Sequence, residues 1–414
     1  MNNIEEALQK SIDFLLSPMS IDNSDTVANG GFYGFQNIDE PLRDTDKPFI
    51  FYEITGYGIN LLLKLYRWYS KEEFLQNAKK AGECILKAQV NSKDPNTNGA
   101  IYDRYYPDSN EFFHSFHVYP NAVCMGGLCE LYQKTDDSRF LRAAISIKDW
   151  LFKMTAKENN SVIGFHEFYS SNQKSQKIFP YESICIPFIL LKFQKELELS
   201  QNEINQLLES VSWGIKSQTQ DGYFPFFYSL EKKEFNKTAY SHFTIYPLYN
   251  LMGFPLAEIE KFGCKNGFDA YKKCGEWMAR VQDYNGGFFT YYFNNEHVWH
   301  QQSPAVAQAL CSFTLLYEKT QDEKFLDAAK KASAWLIKNQ INGGDFSGSF
   351  YWVYPNKKYS KLQKKIMYAR ERISNKISEK DQIKDVTVLL DKVPIWPVQF
   401  AIEGLYHYKK HSSS

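Results

Sequence analysis

The sequence lacks any excess of charge of one sign, since 48 Lys and Arg residues balance 48 Asp and Glu residues in a chain of 414. A protein with zero net charge has no long-range attraction to phosphate, so we expect neither nucleic acid nor an acidic lipid surface as a partner. The chain also has no run that approaches the roughly 20 apolar residues of a membrane span. Its first residues, MNNIEEALQK, are polar and contain no apolar core of a signal peptide. We therefore expect a cytoplasmic protein without a membrane span.

Cysteine is scarce and irregularly placed. The seven cysteines are odd in number, and five of them, at positions 84, 124, 129, 185 and 311, fall inside helical patterns. No Cys-x-x-Cys pair and no Cys/His cluster has the spacing of zinc ligands. These patterns predict reduced, buried thiols, and they indicate neither a metal ion nor another cofactor.

What the sequence does contain is a repeat. Residues 131–151, LYQKTDDSRFLRAAISIKDWL, align without a gap with residues 316–336, LYEKTQDEKFLDAAKKASAWL, and residues 65–85 are a fainter copy. In the two clear copies a short polar joint separates two apolar-periodic stretches, and Asp137 or Asp322 is placed to cap the second helix. Such self-similarity indicates one helical hairpin used several times, each copy burying its apolar face on its neighbours.

The repeat predicts six helix pairs. We expect outer helices at 4–16, 73–89, 138–155, 203–218, 267–282 and 323–339, and inner helices, which are poorer in charge, at 53–69, 120–134, 182–196, 243–252, 303–318 and 396–409. The first outer helix and the last inner helix lie at the two ends of the chain, so the ring can close on itself. We therefore predict an all-α fold, an (α/α)6 toroid of helical hairpins in a single domain over residues 1–414. An open helical solenoid is the alternative.

Loops rich in glycine and aromatic residues follow the predicted outer helices. Examples are QDGYFPFFY at 220–228 and YNGGFFTYYF at 284–293. Asn-Gly or Asp-Gly followed by alternating aromatic residues is typical of a short hairpin, so we expect short β-hairpin loops at one rim. The highly charged, Lys-rich segment 356–392 interrupts the last of these loops. We interpret it as a solvated helical insertion, with a lid over the rim as the alternative.

The glycine-aromatic loops on a helical toroid resemble those of carbohydrate-active α/α-toroid enzymes, which include polysaccharide lyases, unsaturated-uronyl and other glycoside hydrolases, and the catalytic domain of glucuronyl C5-epimerases. The stretch YEITGYGI at 52–59 also resembles an E-x-T-G-Y motif of polysaccharide-biosynthesis proteins of this shape. The resemblance covers nearly the whole chain and implies an oligo- or polysaccharide as the bound partner. Because one architecture serves many chemistries, it does not select the reaction.

Glutamines that end the predicted outer helices, at 89, 218, 282 and 340, resemble the repeat of triterpene cyclases. The chain lacks the tryptophan that follows in that family and has no D-x-D-D acid. It also lacks the Cys and His pattern of the zinc-dependent toroids. A terpenoid ligand is therefore the weakest of the alternatives.

The predicted loops and the first turns of the inner helices meet at one rim, where unpaired N–H groups favour anionic ligand groups. Glu53 begins an inner helix, and Tyr57 lies one turn later on the same face. The Glu53 carboxylate can act as an acid, a base or a ligand of sugar hydroxyl groups. Alternatively, it only stabilises the dipole of its own helix.

The loop 101–120 is the densest polar and aromatic part of this rim. It carries the candidates Asp103, Arg104, Tyr105, Tyr106, His114 and His117. Arg104 can hold a uronate carboxylate in a bidentate pair, and either histidine can act as a general base near neutral pH. The alternative is that Asp103 and Arg104 only brace the loop. The two histidines have no third ligand at a suitable spacing, so we predict no metal site.

Further candidates fall at the later junctions between loops and inner helices. They are Glu167, Glu182, His242, Tyr246, Trp299, His300 and Trp396. Tyrosine and tryptophan rings suit stacking on sugar rings, and their polar ends can reach hydroxyl groups. These residues extend the predicted saccharide site around the ring.

The first functional hypothesis is an enzyme that acts on an acidic, uronate-containing poly- or oligosaccharide by proton abstraction at C5, as an epimerase or a lyase. Arg104 would neutralise the substrate carboxylate. The other groups would be a histidine base and a tyrosine acid, drawn from His114, His117, His242, Tyr106 and Tyr246.

A second hypothesis is a glycoside hydrolase that uses two carboxylates, drawn from Glu53, Asp103, Glu167 and Glu182. Their separation would decide the stereochemistry, about 5 Å for retention and about 6.5–9.5 Å for inversion. A third hypothesis is a non-catalytic glycan-binding protein of a polysaccharide pathway. The sequence does not indicate the oligomeric state.

Overall fold

A computed structural model describes residues 2–37, 47–236, 238–293, 296–354 and 392–412 of the chain. The outer helices are α1 (Asn2–Leu15), α3 (Glu72–Lys87), α5 (Ser138–Lys153), α7 (Gln201–Lys216), α10 (Gly267–Val281) and α12 (Glu323–Asn339). The inner helices are α2 (Tyr52–Tyr69), α4 (Val118–Thr135), α6 (Pro180–Lys192), α8 (Ser241–Ile245), α11 (Ser303–Thr320) and α13 (Trp396–Tyr408). A one-turn helix α9 (Pro255–Glu258) and two 3-10 helices, Ile259–Phe262 and Lys409–His411, are also present. The protein is the (α/α)6 toroid that the repeat predicts.

Local sequence explains which helices are outer and which are inner. The side chains of Asp137 and Asp322 accept hydrogen bonds from the second backbone N–H of α5 and α12, so both predicted caps are confirmed. Helix α11 buries every residue from Ser303 to Thr314. Helix α12 buries only seven of its 17 residues. An all-round apolar helix belongs inside the ring and an amphipathic one outside it.

The loops at the rim carry short strands. They are β1 (Phe35–Asn37), β2 (Ile50–Phe51), β3 (Arg104–Tyr106), β4 (Glu111–Phe113), β5 (Phe116–His117), β6 (Thr155–Glu158), β7 (Ser161–Phe165), β8 (Phe168–Ser170), β9 (Gln173–Lys174), β10 (Lys177–Ile178), β11 (Tyr228–Ser229), β12 (Glu234–Phe235), β13 (Ala239–Tyr240), β14 (Phe289–Phe293), β15 (Glu296–Gln302), β16 (Val353–Tyr354) and β17 (Lys392–Pro394).

Antiparallel strand pairs join each loop to the next one around the ring. The pairs between loops are β2 with β3, β5 with β8, β10 with β11, β13 with β14, β15 with β16, and β17 with β1. The last of these pairs Phe35 with Pro394 and so connects the final loop to the first. This closure excludes the open solenoid.

The glutamines that end the outer helices tie those helices together. In each case Nε2 donates to the carbonyl of a glycine in the following loop and to the carbonyl of an alanine on the next outer helix. The sets are Gln89 with Gly99 and Ala143, Gln218 with Gly222 and Ala270, Gln282 with Gly286 and Ala328, and Gln340 with Gly348 and Ala7. Because each glutamine joins its own loop to the next outer helix through backbone carbonyls, the pattern has a structural explanation.

Close packing of the last loop against α1 requires glycine. Gly348 has φ +93°, and an added Cβ would come within 2.0 Å of the carbonyl oxygen of Lys10 on α1. Only glycine combines that conformation with so near a backbone.

The fourth inner helix is shorter than the predicted 243–252. Helix α8 ends at Ile245, because Pro247 lacks the N–H that would continue the hydrogen-bond ladder. The chain that follows crosses the far end of the ring. Lys64 on α2 donates to the carbonyl of Leu251 at 2.7 Å, and Lys192 on α6 donates to that of Met252 at 2.9 Å. This crossing segment closes the ring opposite the loop rim.

All seven cysteines are buried and unpaired, as the sequence predicts. None of the helices that the structure describes is long and apolar enough to cross a membrane. Within the same part of the chain, no group of three His, Cys, Asp or Glu residues is arranged to hold a metal ion. The charged insertion predicted at 356–392 lies outside the described residues except for Lys392, which belongs to β17.

Candidate active site

The second residue of four inner helices faces the centre of the ring. These residues are Glu53, Tyr119, Tyr181 and His242. We give the name carboxyl wall to the group formed by Glu53, Tyr57, Tyr119, Tyr181, Glu182 and Tyr246. His242 belongs with Gln302, Gln308, Trp396 and Gln399 to what we call the amide wall, formed by α8, the end of β15, α11 and α13.

Glu53 and Tyr246 are in direct contact at the centre. The Tyr246 hydroxyl lies 3.2 Å from Oε1 of Glu53, although 193 residues separate them in sequence. Burial, and secondarily the nearby Asp103 carboxylate, raise the pKa of Glu53 to about 8. The residue nevertheless keeps partial exposure. Glu53 is therefore mostly protonated at neutral pH and is placed to give up a proton.

A tyrosine cluster links Glu53 to the second carboxyl group. The Tyr57 and Tyr119 hydroxyls are 2.6 Å apart. The rings of Tyr181 and Tyr246 stack with centroids 5.3 Å apart, and the Tyr119 ring packs edge-on against both. The Tyr181 hydroxyl donates to Oε1 of Glu182 at 3.0 Å. Burial raises the pKa of all four phenols well above the usual value, so they stay neutral hydrogen-bond donors.

Glu182 is a second carboxyl group with a raised pKa. Its side chain is 3% exposed, and Oε2 has no hydrogen-bond partner. Burial raises its pKa well above the usual range, and the Glu167 and Glu53 carboxylates add to the effect. Glu167 is itself held by the Ser175 hydroxyl at 3.0 Å from Oε2. Both carboxyl groups of the wall therefore have raised pKa values, which favour the protonated form.

His242 stands on the opposite wall as a neutral imidazole. It is 6% exposed, and burial lowers its pKa to about 3. Its ring centroid lies 4.6 Å from that of Tyr246 and 6.3 Å from that of Trp396. Nδ1 is buried without a partner. The ring is thus uncharged at physiological pH and has a nitrogen still to be satisfied.

The rest of the amide wall carries further unpaired polar atoms. They are Oε1 of Gln302, both amide atoms of Gln308, Oε1 of Gln399 and Nε1 of Trp396. All three glutamines are fully buried, whereas Trp396 is partly exposed. Unpaired polar atoms at this density are costly in a core, and a ligand rich in hydroxyl groups can satisfy them.

Arg104 and Asp103 form a pair beside the carboxyl wall. Nε of Arg104 lies 2.8 Å from Oδ2 of Asp103, which is 2% exposed. The guanidinium also lies over the rings of Phe49 and Phe113, 4.6 and 5.0 Å from their centroids. Arg104 is therefore engaged with its own loop and with the segment before α2, in the geometry expected of a brace.

The other predicted residues of this loop stay on the rim hairpins. Tyr105 is buried and donates to Asn110 at 2.6 Å. The Tyr106 ring packs on Phe49 at 5.7 Å. His114 is exposed, with its ring 5.2 Å from Tyr102, and His117 packs on Phe168 at 5.3 Å. None of these contacts connects them to the central groups. In a later loop, the backbone carbonyl of His300 accepts a hydrogen bond from the Thr290 hydroxyl at 2.7 Å, and the Trp299 side chain is outside the described atoms.

The structure thus gathers some predicted residues and separates others. Those gathered at the centre are Glu53, Tyr57, Glu182, His242, Tyr246 and Trp396. Tyr119, Gln308 and Gln399 were not predicted from the sequence. The signal for Tyr119 was its place as the second residue of an inner helix, equivalent to Glu53. In the sequence the two glutamines are indistinguishable from ordinary core positions. Only the lack of hydrogen-bond partners for some of their amide atoms, seen in the structure, distinguishes them.

Comparison with known proteins identifies the fold. No protein-family model and no curated protein matches the chain. The cellobiose 2-epimerase from Bacillus thermoamylovorans B4167 is 16% identical, with 85% of this chain and 91% of that one covered and a TM-score of 0.67. A D-mannose isomerase is 13% identical over 99% and 97% of the two chains, with a TM-score of 0.66. An unsaturated glucuronyl hydrolase specific for heparin is 12% identical over 100% and 98%, with a TM-score of 0.62. These likenesses show that the chain shares the (α/α)6-toroid fold of these three enzymes.

Proposed function

We propose that this protein is a carbohydrate-active enzyme that transfers protons to and from a saccharide held between the carboxyl and amide walls. The observation that carries the proposal is the position of Tyr246, whose hydroxyl lies 3.2 Å from Glu53 and whose ring lies 4.6 Å from His242. One protonated acid and one neutral imidazole thus flank a single phenol. The names of the structural neighbours, a cellobiose 2-epimerase and a D-mannose isomerase, agree with such chemistry.

The reaction class that suits these groups is epimerisation or isomerisation next to a sugar carbonyl. A base removes the proton on the neighbouring carbon while an acid protonates the carbonyl oxygen, and return of the proton gives the product. Glu53, with a pKa of about 8, is the acid, and Tyr246 relays its proton. His242 is the base. Charging a buried imidazole is costly unless an anion forms beside it, and the ionised Glu53 or the enediolate oxygen provides that anion.

A neutral saccharide fits this site better than an acidic one. The two walls contain no cation, and the nearby Arg104 is paired with Asp103 at 2.8 Å. The uronate form of the reaction, whether C5-epimerase or lyase, requires Arg104 to exchange Asp103 for the substrate carboxylate. We therefore place uronates second among the substrates.

Glycoside hydrolysis is the second candidate function. It is favoured by the raised pKa of both Glu53 and Glu182, which makes either a suitable general acid. Asp103 lies beside Glu53, and Glu167 lies beside Glu182, as the effects of these carboxylates on their neighbours' pKa indicate. Each acid thus has a second carboxylate nearby for the role of base.

A product screen distinguishes these functions. The purified protein is incubated with aldoses, with β- and α-linked disaccharides, and with uronate oligosaccharides, and proton NMR follows the anomeric signals. New anomeric signals without loss of the glycosidic bond support epimerisation or isomerisation. Cleavage with water supports hydrolysis, and ultraviolet absorbance of an unsaturated product supports a lyase. Epimerisation or isomerisation by Glu53→Gln at the wild-type rate would contradict the proposed proton transfer. His166→Asn is the matched control, because His166 is bonded to the Ser175 carbonyl at 2.8 Å and is not part of either wall.

A further inference from the structure

Two buried side chains on neighbouring inner helices both lack the partners that their polar atoms need. His242 stands in the first turn of α8, with Nδ1 buried and unpaired. Gln308 stands in the second turn of α11, is 0% exposed, and has neither amide atom in a hydrogen bond. Helices α8 and α11 pack directly against each other. Each unmade bond of a buried polar atom costs about 1–3 kcal/mol, so two such side chains side by side favour pairing with each other.

Gln308 differs from the other glutamines of the amide wall. Gln399 donates to the Ile54 carbonyl at 3.1 Å, and Gln302 reaches the Tyr240 hydroxyl at 3.5 Å. Both therefore serve the packing of neighbouring segments. Gln308 makes no such bond, although it is equally buried. Its proximity to His242 is enough to oppose the lowering of the histidine pKa that burial causes.

We propose that Gln308 is a positioning residue for His242: its side-chain oxygen accepts the Nδ1 proton and fixes the tautomer in which Nε2 carries the lone pair. With Nδ1 turned toward α11, Nε2 is the nitrogen left to face the saccharide. A histidine base needs this arrangement, because the tautomer is set by the hydrogen bond at the other ring nitrogen. A merely structural glutamine would not control which nitrogen holds the proton.

Oε1 of Gln302 and Oε1 of Gln399, on the same wall, are also unpaired, but Gln308 is the glutamine that acts on the pKa of His242. The titratable groups nearest to it are Tyr240 and Tyr246, at ring distances of 6.2 and 4.6 Å, and Glu53 reaches it only through Tyr246. Trp396, on the remaining side at 6.3 Å, has only an N–H to give. The amide oxygen of Gln308 is therefore the acceptor that completes the site.

The catalytic meaning of this inference rests on the proposed function, but its test does not. Protein labelled with 15N at histidine is studied by NMR at pH 7, and the His242 signals are assigned from their absence in His242→Asn. We expect wild-type His242 as a single neutral tautomer with the proton on Nδ1. Gln308→Leu, which keeps the volume and removes both polar atoms, should shift the population toward the Nε2–H tautomer.

Two further variants make the result decisive. Gln308→Glu retains an acceptor oxygen and should restore the wild-type tautomer, whereas Gln399→Leu, on the same wall, should leave it unchanged. If the protein is active, kcat of Gln308→Leu should fall at least tenfold with KM within about threefold. A wild-type proton on Nε2, or an unchanged tautomer in folded Gln308→Leu, overturns the inference while leaving the proposed function standing. An inactive wild type that gives the expected NMR result would contradict the proposed function and leave this inference standing.

Discussion

The side-chain amide of Gln340 donates a 2.9 Å hydrogen bond to the backbone carbonyl of Ala7, 333 residues earlier in the chain. The same nitrogen also donates to the Ser11 hydroxyl and to the Gly348 carbonyl. One side chain thus joins the last outer helix and its loop to the first outer helix. These hydrogen bonds help to close the ring, on which the central site depends.

Removal of these hydrogen bonds should destabilise the fold. Gln340→Ala removes the buried hydrogen bonds from Nε2 to the Ala7 and Gly348 carbonyls and to the Ser11 hydroxyl, so we expect the free energy of unfolding to fall by about 1–3 kcal/mol. Urea unfolding followed by circular dichroism measures the change. Gln76→Ala is the control, because Gln76 is bonded only to Glu72 on an exposed helix face. Equal stability of the two variants would show that the hydrogen bonds of Gln340 contribute nothing to the free energy of unfolding.

The pair of Lys64 and Glu403 should set the acid limit of stability. Nζ lies 2.7 Å from Oε2, and the pair is nearly buried. Burial alone would raise the pKa of Glu403, but Lys64, aided by His407, holds it at about 2. A carboxyl group whose pKa is lowered in the folded state contributes stability above its unfolded value of 4.5, and that contribution is lost as the pH falls toward 2.

Substitution of either partner tests this pair. Lys64→Met leaves the Glu403 carboxylate buried without its main partner and should cost about 3–5 kcal/mol at pH 7. The double variant Lys64→Met with Glu403→Gln should recover part of that loss. Thermal unfolding between pH 2 and pH 7 measures both, and the single variant should lose the steep decline below pH 4.5. A Lys64→Met variant as stable as wild type would contradict this account.

Glu53 should lower the stability of the fold at alkaline pH, although it is needed for activity. Because its pKa is about 8 in the folded protein and 4.5 in the unfolded chain, folding becomes less favourable as the pH rises from 4.5 to 8. The penalty grows by about 1.4 kcal/mol per pH unit in that window. Glu53→Gln removes it, so this variant should be inactive yet more stable than wild type at pH 8 and equal to it near pH 4. Thermal unfolding at the two pH values measures the difference, and a destabilised variant at pH 8 would argue against a buried, protonated Glu53.

The raised pKa of Glu53 also predicts how the rate should change at alkaline pH. If protonated Glu53 is the acid, kcat should decline as the pH rises through about 8. Steady-state rates between pH 6 and pH 10 give the profile. A rate that rises through pH 8 would assign Glu53 the role of base instead.

Tyr246 should be required for turnover and dispensable for folding. Tyr246→Phe keeps the ring stack with Tyr181 and removes only the hydroxyl that contacts Glu53, so we expect kcat to fall by about 10²–10⁴-fold. Tyr105→Phe is the control, because that phenol is equally buried but bonded to Asn110 on the rim. Comparable activity losses in the two variants would mean that the effect is structural.

Most of the fold could be predicted from the sequence, because helical periodicity is a local property. Helix α12 begins at Glu323 and ends at Asn339, as predicted. The fourth inner helix was predicted too long, since the apolar residues after Pro247 are buried in the segment that closes the ring rather than in a helix. Burial of that segment depends on Lys64 and Lys192, which lie far away in sequence.

The site was only half predictable, because membership in the cavity is a property of the closed ring. His114 and His242 both fall at predicted junctions between a loop and an inner helix, yet the first is exposed on a hairpin and the second is 6% exposed at the centre. Position within the helix would have separated them, since His242 is the second residue of α8 whereas His114 precedes α4 by several residues. Gln308 has no local signature at all.

The most direct test of the account is solvent-deuterium incorporation. The enzyme is incubated in deuterium oxide with the saccharide that the product screen selects, and mass spectrometry with NMR locates the label. We predict one carbon-bound deuterium next to the carbonyl of the product, incorporated by wild type and by His166→Asn but not by His242→Asn or Glu53→Gln. Turnover without carbon-bound deuterium in wild type, or undiminished incorporation by either wall variant, would contradict proton transfer at this centre.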